Sequence, residues 1–215
     1  MSQVQKRLSA SVFTPNRLEF LTDGVFAIVM TLLVLDITIP EIASPTLQVE
    51  LPQKLVELWP KLFRYTLSFI ALGVLWGYHH LAFYSIKRSN MALVWLNIVF
   101  LMFVALMPFS TSIRPIPPMT PSLVSTAVYV LNIALAFAMI WIMWTYATGK
   151  HRLVDSVISL RFVKVYKFTS IGLLLFFMLS FGICFINLDI GNLLMLIPLV
   201  ASIVMLFKMP GMLSQ

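Results

Sequence analysis

Six apolar stretches, each close to the length that crosses a bilayer, constrain this chain more than any other feature. A helix needs about 20 apolar residues to span the hydrocarbon core. Residues 17–39, 62–85, 91–113, 123–148, 163–186 and 192–207 supply such runs, the last one short and holding Pro198. Only 11% of the residues are charged and 60% are hydrophobic, whereas a soluble domain carries about a quarter charged residues. Too few polar side chains exist to coat a water-facing surface, so most helix faces must meet lipid or one another. The expected fold is an all-α membrane protein with six transmembrane helices in one domain over residues 1–215, without internal duplication or a separate soluble unit.

The connectors carry their own signals. Pro117, Pro118 and Pro121 stop any helix across 116–121, because proline lacks the amide donor and clashes with the preceding turn. Asn187, Asp189 and Gly191 read as a tight turn before the last run. Residues 51–59 read as a short interfacial helix with Leu55, Leu58 and Trp59 toward lipid and Lys54 and Glu57 toward water. The first dozen residues are polar and lack the apolar core of a cleavable signal, so the first run is expected to persist in the mature protein. The one cysteine, Cys184, lies in an apolar run and makes neither an intrachain disulfide nor a cysteine metal cage.

The net charge of +7 follows topology rather than a nucleic-acid partner. Lys6, Arg7, Lys87, Arg88, Lys150, Arg152, Arg161, Lys164, Lys167 and Lys208 fall on one side of the alternating runs. The other side holds Lys54, Lys61 and Arg114 among Glu41, Glu50, Glu57 and Asp189. Cytoplasmic connectors are enriched in Lys and Arg, which places both termini in the cytoplasm. Arg64, near the start of the second run, is expected to snorkel outward.

The first run carries most of the functional information. Asn16 and Glu19 have the spacing of a capping box at its start, and Pro40 closes its far end. Arg17, Glu19 and Asp23 are charges embedded near the inner end, and Asp23 must find partners or water because an unpaired charge in the membrane costs at least a few kcal/mol. Gly24, Ile28, Thr31, Leu35 and Thr38 are separated by four, three, four and three residues, which puts them on one helix face. With several copies around an axis, Ile28 and Leu35 would form an apolar constriction and Thr31 a ring of hydroxyl oxygens, with Leu32 at its side. Apolar constrictions and oxygen rings are both devices for gating and selecting ions. The same pattern also suits plain helix packing through small residues, with each threonine bonded to a carbonyl one turn back.

At these positions the chain resembles the bacterial branch of the transmembrane protein 175 family, the endosomal and lysosomal potassium channels. The family's first helix has an arginine, three residues, then Phe-Ser-Asp-Gly and a run such as Val-Phe-Ala-Ile-x-x-Thr-Leu-Leu. Arg17, Leu21-Thr22-Asp23-Gly24, Val25-Phe26-Ala27-Ile28 and Thr31-Leu32-Leu33 stand in those places, with Leu21 for phenylalanine and Thr22 for serine. Trp76, His79 and His80 match its Trp-x-x-His-His feature, and Asn97 and Pro108-Phe109 fit its third helix. Beyond roughly the first half, the likeness is little more than hydropathy.

The resemblance implies a homotetrameric, potassium-selective, leak-type channel in the cell membrane of a prokaryote, with the bilayer and permeant potassium as partners and no cofactor. It makes Ile28, Leu32 and Leu35 the hydrophobic constriction and Thr31 the selectivity-determining hydroxyl. Arg17, Thr22 and Asp23 would form a hydrogen-bonded network with Trp76, His80 and Asn97 that holds the pore helix. No Thr-Val-Gly-Tyr-Gly filter segment occurs.

Other polar residues leave alternatives open. Asp23 either clamps to Arg17 and Thr22 or binds cations directly. His79 and His80 point to different sides of one helix, so they cannot share a metal within a subunit, and a titrating role near neutral pH stands beside a structural one. Asp36 either concentrates cations at an outer mouth or is an interfacial carboxylate. No nucleophile elbow, His-Glu-x-x-His, Walker glycines or paired aspartates are present, so an enzyme is not expected. A secondary transporter or proton-coupled exchanger using Asp23 and the histidines is the competing class, and the absence of an evident repeat argues against it.

Overall fold

The structure, a computed structural model, describes residues 14–38, 47–114, 122–155 and 158–212. Lys6, Arg7, the 39–41 segment with Pro40 and Glu41, and the prolines of 116–121 lie outside the described residues. Helix α1 is Pro15–Leu32 and continues as a 3-10 turn over Leu33–Asp36; α2 is Leu47–Glu57 and α3 is Trp59–Ser85. Then come α4 (Met91–Ala105), α5 (Met107–Ser112), α6 (Leu123–Thr148), α7 (Leu160–Cys184), α8 (Leu188–Leu194) and α9 (Leu196–Lys208). Joined end to end they make six segments long and apolar enough to cross a membrane: Pro15–Asp36, Glu50–Ser85, Met91–Ser112, Leu123–His151, Leu160–Cys184 and Leu188–Lys208.

Three crossings are interrupted, each just ahead of a proline, and in the second the break at Leu58 precedes Pro60 in the first turn of α3. Pro108 opens α5 and Pro198 lies in the first turn of α9, where a missing amide donor is tolerated at a helix start. Polar caps set other boundaries: Asn90 accepts from the Leu93 amide and Asn187 from the Ile190 amide, both at 3.0 Å.

Several local expectations are corrected. The α1 cap residue is Thr14 with Pro15 in the first turn, and no side chain caps it, so Asn16 and Glu19 form no capping box. Asp189 and Gly191 belong to α8 rather than to a turn, which lies just ahead of them. A Cβ on Gly191 would sit 2.3 Å from Cys184 Sγ, so α8 can fold back on α7 only because this residue is glycine. Leu58 is buried, while Leu55 and Trp59 are exposed. Arg64 does not snorkel: it is buried and ion-paired with Asp36.

Lipid tails are as apolar as leucine, so a membrane bundle holds together by close packing and interhelical hydrogen bonds rather than by apolar burial. Helix α6 supplies the middle of that packing, lying against α4 and α7. The Trp144 ring lies 4.4 Å from that of Tyr166, whose hydroxyl donates to the Tyr78 carbonyl at 2.7 Å. Thr111 donates to Ser68 at 3.0 Å and Asn132 to Ser110 at 3.2 Å. Each such interhelical bond is worth about 1 kcal/mol.

Two ends of the bundle can be told apart by contact. At one end the connectors after α3 and α6 meet: the Lys87 amide donates to the Leu153 carbonyl at 2.9 Å, and Arg88 donates to the carbonyls of His151 and Val154. At the other end lie Asp36, Arg64, Arg114 and Asn192, joined by hydrogen bonds. Two of the basic connectors assigned to one side by charge, those after α3 and α6, thus share one end. Helix α1 sits at the margin of the bundle, packed principally on α3 and α4.

Candidate functional site

One face of α1 is packed and the other is bare. Leu18, Thr22, Phe26, Val29 and Leu33 are buried at helical spacing against α3 and α4, with the Phe26 ring 6.0 Å from that of Phe100. The opposite face carries Gly24, Ile28, Thr31, Leu32 and Leu35, and all five are exposed. Ile28 is 61% and Leu35 67% exposed, and a Cβ built on Gly24 would meet nothing within 4 Å. The protomer therefore uses neither the aliphatic side chains nor the gap at Gly24 for its own packing. The Thr31 hydroxyl donates to the Ile28 carbonyl at 2.7 Å. That bond spends its proton inside the helix and leaves the oxygen lone pairs free to accept, or to meet a cation, on the bare side.

Behind this face, two polar groups tie α1 to its neighbours. The first is buried and joins three helices: His79 Nε2 lies 2.8 Å from Asn97 Oδ1, and Asn97 Nδ2 donates to the Thr22 hydroxyl at 3.2 Å. The partner of His79 is a carbonyl oxygen, so Nε2 carries the proton. The ring is stacked between Phe83, at 4.1 Å, and Phe100, at 5.4 Å. The second group is exposed. Trp76 Nε1 donates to Asp23 Oδ1 at 2.8 Å, the His80 ring stacks on Trp76 at 5.4 Å, and His80 Nδ1 is 3.9 Å from Glu19 Oε1.

The structure thus brings together Thr22 and Asn97, and separately Asp23 and Trp76. The histidine at Thr22 and Asn97 is His79 rather than His80, because Trp76 and His80 are four residues apart and share a face directed at Asp23 and Glu19. Arg17 is exposed and, among the described residues, its side chain makes no bond to this network, so Asp23 is held by Trp76 rather than by an arginine clamp. Asp36 is paired with Arg64, which offsets its charge at that end of the helix. Among the described residues no cluster of three or more His, Cys, Asp or Glu side chains is placed to hold a metal ion.

Comparison with known proteins bears on this arrangement. The family described as endosomal/lysosomal potassium channel TMEM175 matches residues 17–108. A potassium channel of Streptomyces collinus is 38% identical over 131 residues, which is 59% of this chain and 62% of that protein, so the chain spans less than two thirds of this relative's length. A potassium channel of Chamaesiphon minutus is 32% identical over 183 residues, covering 80% of this chain and 90% of that protein. The chain belongs to the TMEM175 family. The crystal structure of a lysosomal potassium-selective channel TMEM175 homolog from Chamaesiphon minutus superposes with a TM-score of 0.72 at 27% identity, covering 89% of this chain and 97% of that one.

Within this TMEM175 chain, the buried triad is the feature that reading the sequence placed only in part. The spacing of Trp76 and His80 on one face was a usable signal that His79 points elsewhere. Asn97 is the hub, and Asn97→Leu strips partners from both His79 and Thr22. At about 1 kcal/mol per interhelical bond, a loss of about 2 kcal/mol in unfolding free energy is expected, measurable by reversible unfolding in mixed detergent micelles.

Proposed function

We propose that the protein is a potassium-selective, leak-type cation channel in which four copies turn the bare face of α1 toward a common axis. Ile28, Leu32 and Leu35 form the apolar constriction, and Thr31 supplies the hydroxyl oxygens between them. The single observation that carries this reading is that this face is left uncovered by the protomer while the reverse face of the same helix is packed and hydrogen-bonded. A lipid-facing surface has no use for the hydroxyl of Thr31 or for the open gap at Gly24, whereas an ion path has a use for both. Membership in a family of potassium channels, and the potassium-channel names of the bacterial relatives, support the choice of ion.

The chain sits as a multi-pass protein in the cell membrane of a prokaryote, with both termini cytoplasmic and the basic connectors at the cytoplasmic end. Its partners are other copies of itself, the bilayer and the permeant ion, with no cofactor. The triad of Thr22, His79 and Asn97, together with the Asp23–Trp76 bond, fixes the rotation of α1 and so keeps the filter residues on the axis.

Thr31→Val tests the assignment. Valine keeps the shape but removes the oxygen ring, so partly dehydrated potassium loses its compensation in the narrow region. The expected outcome is a several-fold fall in potassium-over-sodium preference, read from reversal potentials in planar bilayers. An unchanged reversal potential would remove Thr31 from the filter.

A further inference from the structure

At the end of the bundle that holds Asp36 and Arg64, a cavity of about 420 Å³ opens between α3, α6, α7 and the α8–α9 crossing. That volume falls in the range of small-ligand sites, roughly 300–1,000 Å³. Its lining changes character along the membrane normal. Arg64, Arg114, Asp189 and Asn192 come from the ends of their segments, whereas Ala71, Ile133 and Phe177 come from farther inside. Ala71 is two turns beyond Arg64 on α3, about 10 Å deeper. Phe63 and Leu193, also in the lining, are exposed on the outer surface of the protomer, so the cavity communicates sideways with the lipid level.

The charges on this lining are not all compensated. Arg64 donates to the Asp36 carboxylate and to the Arg114 carbonyl, and that ion pair is closed. The Arg114 guanidinium lies over the Tyr129 ring at 4.7 Å and donates to Asn192 Oδ1 at 3.0 Å, with no carboxylate at ion-pair distance among the described residues. Asp189 likewise has no cation at ion-pair distance among the described residues. One open cation and one open anion thus line a single cavity without bridging each other. In addition, the Nε–H of Arg64 is buried in the cavity wall without an acceptor among the described residues.

A purely anionic headgroup satisfies Arg114 and leaves Asp189 facing more negative charge. A headgroup with a phosphate and a primary ammonium satisfies both, because the ammonium donates charge-assisted hydrogen bonds to a carboxylate. We propose that this cavity binds a membrane phospholipid of that class, a phosphatidylethanolamine. Its phosphate sits on Arg114, its ammonium on Asp189, and one acyl chain lies against Leu67, Leu196 and Leu199, the half-buried part of the apolar lining. The occupant comes from the bilayer because the apolar depth takes a chain that a soluble phosphate ester does not have.

Asp189 lies in the first turn of α8, where a carboxylate also complements the helix dipole. Loss of stability in a variant therefore does not separate the two roles, and headgroup discrimination does. The experiment is native mass spectrometry of the delipidated oligomer offered an equimolar mixture of phosphatidylethanolamine, phosphatidylcholine and phosphatidylglycerol with identical acyl chains. Acyl-free glycerophosphoethanolamine is offered separately. Phosphatidylethanolamine is expected to be retained at least threefold over either competitor, and the acyl-free headgroup not to bind. Asp189→Asn, at an exposed position, should bring phosphatidylethanolamine and phosphatidylglycerol to parity, whereas Arg114→Gln should lower retention of all three. Equal retention of the three lipids by the unaltered protein overturns the proposal, as does an unchanged preference in Asp189→Asn. Comparable binding of the acyl-free headgroup overturns the lipid as source. An assembled oligomer that retains no lipid overturns it as well.

Discussion

Ile28→Asn is expected to raise potassium flux through the reconstituted protein by on the order of tenfold, with loss of discrimination against sodium. An apolar constriction resists ions because water inside it is poorly held and the ion must shed its hydration with little in return. An amide at that level keeps the passage wet and offers a carbonyl oxygen to the ion. A tenfold gain corresponds to about 1.4 kcal/mol off the barrier, a small demand on one ring of hydrogen-bonding groups. The substitution removes no packing inside the protomer, because Ile28 is largely exposed there and its carbonyl remains to accept from Thr31. Liposome flux with a potassium gradient reads the effect directly. If Ile28 instead faces lipid, flux stays the same and the variant inserts less well.

The second large effect concerns the ion pair at the far end of α1, and its signature is an inequality. Asp36→Asn should destabilise the fold more than Arg64→Gln. The Arg64 side chain is only 10% exposed, while that of Asp36 is 33% exposed. Neutralising Asp36 leaves a buried guanidinium charge uncompensated, with its Nε already unpartnered among the described residues and, beside the neutral amide oxygen that replaces the carboxylate, the Arg114 carbonyl to accept from it. Stranding a buried charge this way costs roughly 3–5 kcal/mol, reduced to about 2–3 kcal/mol by that carbonyl. Removing Arg64 leaves a carboxylate that water can reach, at a cost of about 1 kcal/mol. Reversible unfolding of both variants in micelles measures the order, and equal or reversed costs would contradict the burial asymmetry.

The architecture was legible because the bilayer imposes a length rule that a chain cannot hide. All six crossings were visible as apolar runs, and the 123–148 run coincides with helix Leu123–Thr148. The charge distribution grouped connectors that do meet, as the Arg88 bonds to His151 and Val154 show. The positions carrying the family resemblance, Phe109 excepted, also fall within the segment that the family matches.

What stayed hidden were choices of partner across helices, which depend on helix rotation and not on local sequence. Arg64 read as a snorkelling residue because its partner lies in another crossing, at Asp36. His80 read as a member of one network with Thr22 and Asn97, although its four-residue spacing from Trp76 places it with Asp23 and Glu19 instead. Asp189 and Gly191 read as turn formers, but the same residue types open helices. The need for glycine at 191 is set by Cys184, which sequence alone does not place beside it. The cavity between α3, α6 and α7 left no sequence signal, since its arginines come from separate segments and its apolar wall looks like any membrane helix.

The central claim is that the uncovered face of α1 lines the ion path. Leu35→Cys, on a Cys184→Ser background that leaves one thiol in the chain, reports on it when potassium flux is followed in liposomes during treatment with a charged, membrane-impermeant thiol reagent. The account predicts that modification stops the flux, at a rate that rises when ions are moving. Complete labelling with flux unaltered, or labelling by lipid-soluble reagents alone, would contradict it.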